Sequence, residues 1–116
     1  MTPNTLEEAI DLIIKGNTPE TLEYIKSITE EEFIGEAHHS LGRNLRNEWG
    51  LWHNENPLCK WFTEQGITVG DDRCGIILDS FHRKICGKDI DLNGQIKHYK
   101  NFWVNEGYPD GIYKAK

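Results

Sequence analysis

Residues 71–87, which read DDRCGIILDSFHRKICG, predict a buried central helix. Asp71 and Asp72 place negative charge where the N-terminus of a helix favours it, and Gly87 is typical of the position after a helix. The apolar residues between them recur at helical spacing and would form one stripe: Cys74, Ile77, Leu78, Phe81 and Ile85. The other helices are expected to pack around this stripe.

Helix starts elsewhere are marked by side chains that cap a first turn. A threonine followed three residues later by a glutamate is a capping box, and the chain has two, Thr5 with Glu8 and Thr29 with Glu32. The second box predicts a third helix that runs to about Trp49. Further starts are predicted at Thr18–Pro19, at Asn56–Pro57 and at about Asp91, the last for a helix that ends near Asn105.

No segment alternates apolar and polar residues with a period of two, so no strand is predicted. The fold class is therefore predicted to be all-α, as a compact bundle of five or six short helices in a single domain. Within the 116 residues we expect three parts. These are an N-terminal helical hairpin (1–28) packed on the core, a helical core domain (29–107) and a tail (108–116).

Composition restricts the classes of function. The chain has 13 lysines and arginines against 19 aspartates and glutamates, and its net charge of −6 repels phosphate backbones, so no nucleic-acid partner is expected. No apolar run approaches the roughly 20 residues of a membrane helix, so no membrane partner is expected either. Three cysteines, an odd number without a Cys-x-x-Cys pair, favour a reducing cytoplasm and free thiols.

The segment around Arg46 is the first candidate site. If the third helix is continuous, Gly35, His39, Gly42 and Arg46 lie on adjacent lines of its surface, and the two glycines predict a close approach by another group. That group is either a neighbouring helix, with Arg46 paired to Asp71 or Asp72, or a ligand. A small anionic or planar ligand would be held by Arg46 and Asn47, beside His39, and stacked on Trp49 or Trp52.

Asp71, Asp72 and His82 are the second candidate group. Adjacent carboxylates can share a cation or act as acid and base, but further oxygen ligands for a hard cation are lacking. His82 and Cys86 have the spacing of two zinc ligands, yet two more ligands are not evident. We therefore predict no metal, no cofactor and no catalytic residue, and oligomeric state stays open.

Two motifs resemble a known family. The patterns LGxxLRNxWxLW at 41–52 and DDxxGIILDSFH at 71–82, with their spacing, resemble a family of small bacterial and phage helical domains of unknown function. The resemblance covers residues 29 to 104. It implies an α-helical fold and no activity, and it draws attention to six residues: His39, Arg46, Asn47, Asp71, Asp72 and His82.

Three functions remain open from the sequence. The first is a non-catalytic binding module, a small acidic cytoplasmic protein of the inhibitor, immunity or adaptor type that acts on a protein partner. The second is a domain that sequesters a small anionic or nucleotide-like ligand through Arg46, Asn47, His39 and Trp49 or Trp52. The third is a hydrolase that uses Asp71, Asp72 and His82.

Overall fold

A computed structural model describes residues 2–114, and within that range the chain forms helices and no strand. The helices are α1 (Leu6–Lys15), α2 (Pro19–Ser27), α3 (Glu30–Ala37), α4 (Leu41–Glu48), α5 (Pro57–Glu64), α6 (Gly70–Ile85) and α7 (Leu92–Asn105). The predicted all-α fold is confirmed.

The predicted capping residues begin the helices as expected. At Thr29 both bonds of the capping box are present: the Glu32 amide donates to the Thr29 hydroxyl over 3.1 Å, and the Thr29 amide donates to the Glu32 carboxylate over 2.9 Å. Such a cap satisfies amide groups that have no partner inside the helix. Side-chain caps are also formed by Thr5, Thr18, Asn56 and Asp91. The box predicted at Thr5 is half formed, because the Glu8 carboxylate accepts from the Asn4 amide and not from the Thr5 amide.

The prediction of one continuous third helix is wrong. The helix ends at Ala37 and a new one begins at Leu41, after Ser40 has left the helical region with φ −120° and ψ −90°. Ser40 stabilises the break, because its amide donates to the Ala37 carbonyl and its hydroxyl to the Glu36 carbonyl, each over 3.1 Å. Gly35 and Gly42 therefore do not share one helix surface, and the described chain has seven helices instead of five or six.

Helix α6 is the centre of the domain, as predicted, because α1, α2, α3, α4 and α7 all pack against it. Of the predicted apolar stripe, Cys74, Ile77, Leu78 and Phe81 are buried, and Ile85 is partly buried. Both helices of the predicted 1–28 hairpin therefore rest on α6.

The segment after α7 folds back onto the body of the domain. The Thr68 hydroxyl donates to the Tyr113 carbonyl over 2.6 Å, and Trp103 packs against the rings of Tyr108 and Tyr113. This segment is the described part of the predicted tail; residues 115 and 116, like residue 1, lie outside the described range.

Two helical glycines predict opposite responses to alanine. A Cβ atom at Gly75 would lie 2.3 Å from the Tyr99 hydroxyl oxygen, whereas one at Gly35 would have nothing within 4 Å. Since alanine favours a helix by about 1 kcal/mol over glycine, we expect Gly35→Ala to stabilise the domain by up to that amount. Gly75→Ala should destabilise it by about 1–2 kcal/mol, because the ring of Tyr99 must shift. Urea unfolding measures both changes.

The control is the same substitution in a Tyr99→Phe background. Without the hydroxyl, the nearest Tyr99 atom to the added Cβ is the ring carbon Cζ at 3.4 Å, an ordinary contact. The cost of Gly75→Ala should then largely disappear. Equal costs in both backgrounds would show that Tyr99 does not require the glycine.

Candidate functional site

Arg46 is held inside the domain by three partners. Its Nε atom lies 3.6 Å from an Asp71 carboxylate oxygen, its Nη2 donates to the His38 carbonyl over 3.2 Å, and its Nη1 lies 3.7 Å from the Cys74 sulfur. Only 12% of the Arg46 side chain is exposed. Of the two pairings that the sequence left open, the structure has the one with Asp71, and it joins α4 to the first turn of α6.

The Arg46–Asp71 pair predicts a weak but specific coupling. Asp71 is more than half exposed, so the pair should contribute no more than about 1 kcal/mol. We expect Arg46→Lys and Asp71→Asn to be non-additive by about 0.5 kcal/mol in thermal or urea unfolding. Arg46→Lys with Asp72→Asn is the matched control and should be additive; coupling of equal size in both cycles would contradict this assignment.

The other residues of the first candidate site do not gather around Arg46 as a stacking pocket. Trp49 is buried in the core, so its ring is not available to a surface ligand. Trp52 is 54% exposed and lies against Gly70, the first residue of α6. His39 and Asn47 are exposed.

His82 lies in the interior, apart from the two aspartates. It is 3% exposed, and its Nε2 lies 3.1 and 3.0 Å from the carbonyls of Ile25 and Ile28 at the end of α2. Since carbonyls only accept hydrogen bonds, Nε2 carries a proton and fixes α2 to α6. Ten residues of helix separate His82 from Asp72, about 15 Å along the axis. The three groups named for a hydrolase are therefore not brought together.

Arg73 is the largest fully buried side chain, and the sequence analysis missed it. Its N–H groups donate to five acceptors, all uncharged, at 2.7–3.0 Å. Burial lowers its pKa from the usual range. Arg73 lies four residues before Ile77 and eight before Phe81, on the apolar stripe of α6. This spacing was the sequence signal for its burial. The acceptors are the carbonyls of Leu51, His53 and Ile67, the Asn54 side-chain oxygen and the Thr63 hydroxyl.

Helix α7 runs back along α6 and forms a polar seam with it. The Trp103 indole donates to Asp72 over 2.8 Å, the Tyr99 hydroxyl lies over Gly75, and the Gln95 amide donates to Ser80 over 3.0 Å. We call this line of contacts the α6–α7 seam. Burial raises the pKa of Asp72, although the bond from Trp103 opposes the shift. Burial and the neighbouring carboxylates also raise the pKa of Tyr99, which keeps its proton.

A pocket of about 320 Å³ opens at the Asp79 end of this seam. We call it the seam pocket. It is lined by Asp79, Arg83, Asp91, Gly94, Gln95, His98 and Tyr99.

Asp79 is a half-buried carboxylate without a donor. Burial, with the negative charge of Glu30, raises its pKa from 3.8 to about 6, although Arg83, His82 and His98 oppose the shift. Among the described residues no side chain forms an ion pair or a hydrogen bond with it. It lies seven residues after Asp72 and therefore on the same face of α6. Half-buried carboxylates with shifted pKa values are concentrated at functional sites.

Gln95 presents a second acceptor without a donor. It is 6% exposed, and its amide nitrogen donates to the Ser80 hydroxyl over 3.0 Å and to the Ile90 carbonyl over 2.8 Å. The opposite orientation of the amide would place the Gln95 oxygen against the Ile90 carbonyl oxygen, so hydrogen bonding assigns the orientation. Its oxygen Oε1 is buried, and no donor among the described residues reaches it. A buried acceptor in that state costs about 1–3 kcal/mol.

Other site types find little support in the described chain. No group of three or more His, Cys, Asp or Glu residues is placed there to hold a metal ion. None of its helices has the length and apolar character needed to cross a membrane. Its three cysteines are free, and burial raises the pKa of the Cys59 and Cys74 thiols.

The fold and the site define a small all-α domain with an acidic pocket between its central and last helices. The chain belongs to the family described as a domain of unknown function, DUF6794, whose pattern matches residues 2–85. The match begins four residues before α1 and ends at the last residue of α6, so it includes the α6 wall of the seam pocket but not the α7 wall. Searches of curated proteins and of solved structures found no match to the chain.

Proposed function

We propose that this domain is a cytoplasmic, non-catalytic binding module that recognises a basic segment of a protein partner, in the manner of inhibitor, immunity or adaptor proteins. The observation that carries the proposal is the seam pocket: two residues that line it, Asp79 and Gln95, each have an acceptor that no donor of the described chain meets. A partner with several N–H groups would provide hydrogen-bond donors that the described chain does not.

The charge of the chain supports a basic partner. With a net charge of −6, the long-range field attracts cations and repels phosphates and other anions. Complementary charge steers two proteins together and raises the rate of association.

Exposed aromatic rings at the other end of the seam support a protein partner. Trp52 and Phe102 are about half exposed, and both lie near the first turn of α6. Phe102 precedes Trp103, which binds Asp72, and Trp52 covers Gly70, which precedes Asp71. Large aromatic side chains are the commonest energetic centres of protein interfaces.

The two alternative functions lack such an observation. An anion at Arg46 would have to displace Asp71, and the ring of Trp49 is buried. A hydrolase that uses Asp71, Asp72 and His82 would need side chains that the fold keeps apart.

A peptide-binding measurement tests the proposal. The probe is a fluorescent peptide rich in lysine and arginine, compared with its acidic counterpart and with a panel of nucleotides. We expect the basic peptide alone to bind, with an affinity that falls several-fold as salt rises from 0.05 to 0.5 M and screening shortens to a few ångströms. Thermal stabilisation by a nucleotide, without basic-peptide binding, would overturn the proposal.

A pair of charge-matched variants separates the seam from the general acidity. Asp72→Asn with Asp79→Asn should weaken peptide binding much more than Glu23→Gln with Glu64→Gln, two exposed residues of α2 and α5. Both double variants change the net charge by the same amount. Equal losses would mean that overall charge, and not the seam, binds the peptide.

A further inference from the structure

We infer that the seam pocket binds one alkyl-guanidinium or alkyl-ammonium group. This inference rests on the proposed function and names the chemical group that the site recognises. Such a group is carried by an arginine or lysine side chain and also by a free polyamine, and the experiment below distinguishes these sources.

Three residues that line the pocket carry acceptors with room for further donors, beside the His98 ring and the Tyr99 hydroxyl, which can also donate. Asp79 offers a carboxylate, and Asp91 offers a carboxylate oxygen beyond the one that accepts from the Gly94 amide. Gln95 lines the same pocket, and its buried amide oxygen has no donor among the described residues. A group that satisfies several acceptors at once must carry several N–H donors. Guanidinium has five and ammonium has three, and neither has an acceptor of its own.

The arginine that lines the pocket is already occupied. Arg83 directs Nε and Nη2 to the Glu30 carboxylate and Nη1 to the Ile90 carbonyl. It therefore neither neutralises Asp79 by direct contact nor offers a free fork to an anion. Because the Glu30 carboxylate neutralises the charge of Arg83, the carboxylates of Asp79 and Asp91 make the electrostatic potential of the pocket negative.

Size and shape also favour a small cation. The volume of about 320 Å³ is at the lower end of the range of small-molecule sites, about 300–1,000 Å³. It suits one extended side chain or a short amine better than a nucleotide. Tyr99, half-buried in the wall, provides an aromatic ring of the kind on which cations stack.

The test is a two-dimensional amide NMR titration of the full chain with n-butylguanidinium chloride, with n-butanol as the uncharged control. We expect saturable shifts of the Gln95 side-chain amide and of the backbone amides of Gly94 and Asp79, and no shift of the Gln65 side-chain amide. Butanol should leave the pocket signals unchanged. Equal shifts with both compounds, or none with either, would overturn the inference.

Variants connect the shifts to the carboxylate. Asp79→Asn should weaken butylguanidinium binding at least five-fold, whereas Glu64→Gln, which changes the net charge equally, should change it less than two-fold. Thermal unfolding shows whether each variant is folded, and Asp79→Asn is expected to be at least as stable as the parent. An unchanged affinity in folded Asp79→Asn would overturn the inference.

A second arm separates this inference from the proposed function. A peptide with a single arginine, blocked at both ends, is titrated beside agmatine, a free amine that carries a guanidinium. If the pocket signals respond to agmatine but no basic peptide binds, the inference holds for a free amine and the protein-partner proposal fails. If basic peptides bind without moving the pocket signals, the domain still recognises a basic partner, but through another surface, and this inference fails.

Discussion

Arg73→Met should be the most damaging single substitution in the domain, with a loss of about 3–5 kcal/mol of unfolding free energy. The methionine fills much of the same volume but donates nothing. The buried carbonyls of Leu51 and Ile67 and the part-buried carbonyl of His53 then lose their donor. Each buried acceptor left without a donor costs about 1–3 kcal/mol, and relief from burying a charge offsets only part of that sum.

Urea unfolding of Arg73→Met beside Arg43→Met measures this effect. Arg43 is an exposed arginine on α4, and its substitution should stay within about 0.5 kcal/mol of the parent. Arg73→Lys should lie between the two, because an ammonium has three donors for five acceptors. Similar midpoints for the two methionine variants would show that the buried hydrogen bonds do not stabilise the fold.

Arg73→Lys should loosen one loop before the rest of the chain. Residues 51–54 contain no helix, and three of them are fixed to α6 through Arg73. Amide hydrogen exchange in this loop should therefore accelerate in Arg73→Lys more than exchange in α1, which packs elsewhere on α6.

The sequence was sufficient for those elements whose cause is local. Thr29 and Glu32 lie three residues apart, and nothing distant is needed for each to bond the other's amide. The α6 stripe is similarly local, since helical spacing alone places Ile77 and Phe81 on one side.

The break in the third helix and the role of Arg73 depend on tertiary contacts. Residues 30–48 have a helical pattern throughout, and Ser40 leaves the helix where Gly42 can approach Cys74 and the Ala37 carbonyl. Spacing places Arg73 on the apolar stripe, but its acceptors lie 6 to 22 residues away in the chain, in loops and in α5. Neither set of partners can be read from local spacing.

Sequence reasoning drew attention to one end of the α6–α7 seam and not to the other. Asp71 and Asp72 were singled out as an adjacent pair, and they do lie beside Arg46 and Trp103. Asp79 was missed although it follows Asp72 by seven residues on the same helix face. Its importance depends on how α7 lies against α6, and this register becomes visible only when Gln95 reaches Ser80.

Asp79→Asn should stabilise the unliganded domain at neutral pH and make its unfolding free energy less dependent on pH. The pKa of Asp79 rises from 3.8 in the unfolded chain to about 6 in the folded one. A raised pKa means that this residue's contribution to stability is complete below pH 4 and is lost as pH rises through 6. At pH 7.5 the ionised, half-buried carboxylate therefore costs stability, by about 1–2 kcal/mol after solvent screening is taken into account.

Unfolding of the parent and of Asp79→Asn at pH 4.5, 6 and 7.5 measures this cost, with Glu64→Gln as the control. The gain in Asp79→Asn should be largest at pH 7.5, nearly as large at pH 6, and reduced to about a third at pH 4.5, where the folded carboxyl is protonated but the unfolded one is still mostly ionised. A gain that does not change with pH, or one that Glu64→Gln reproduces, would contradict the assignment. Because a bound cation stabilises the folded parent by mass action, butylguanidinium at pH 7.5 should reduce the difference between the two proteins. A purely structural carboxylate would destabilise the fold at pH 7.5 with or without butylguanidinium. If the cation relieves the destabilisation, Asp79 is a binding residue.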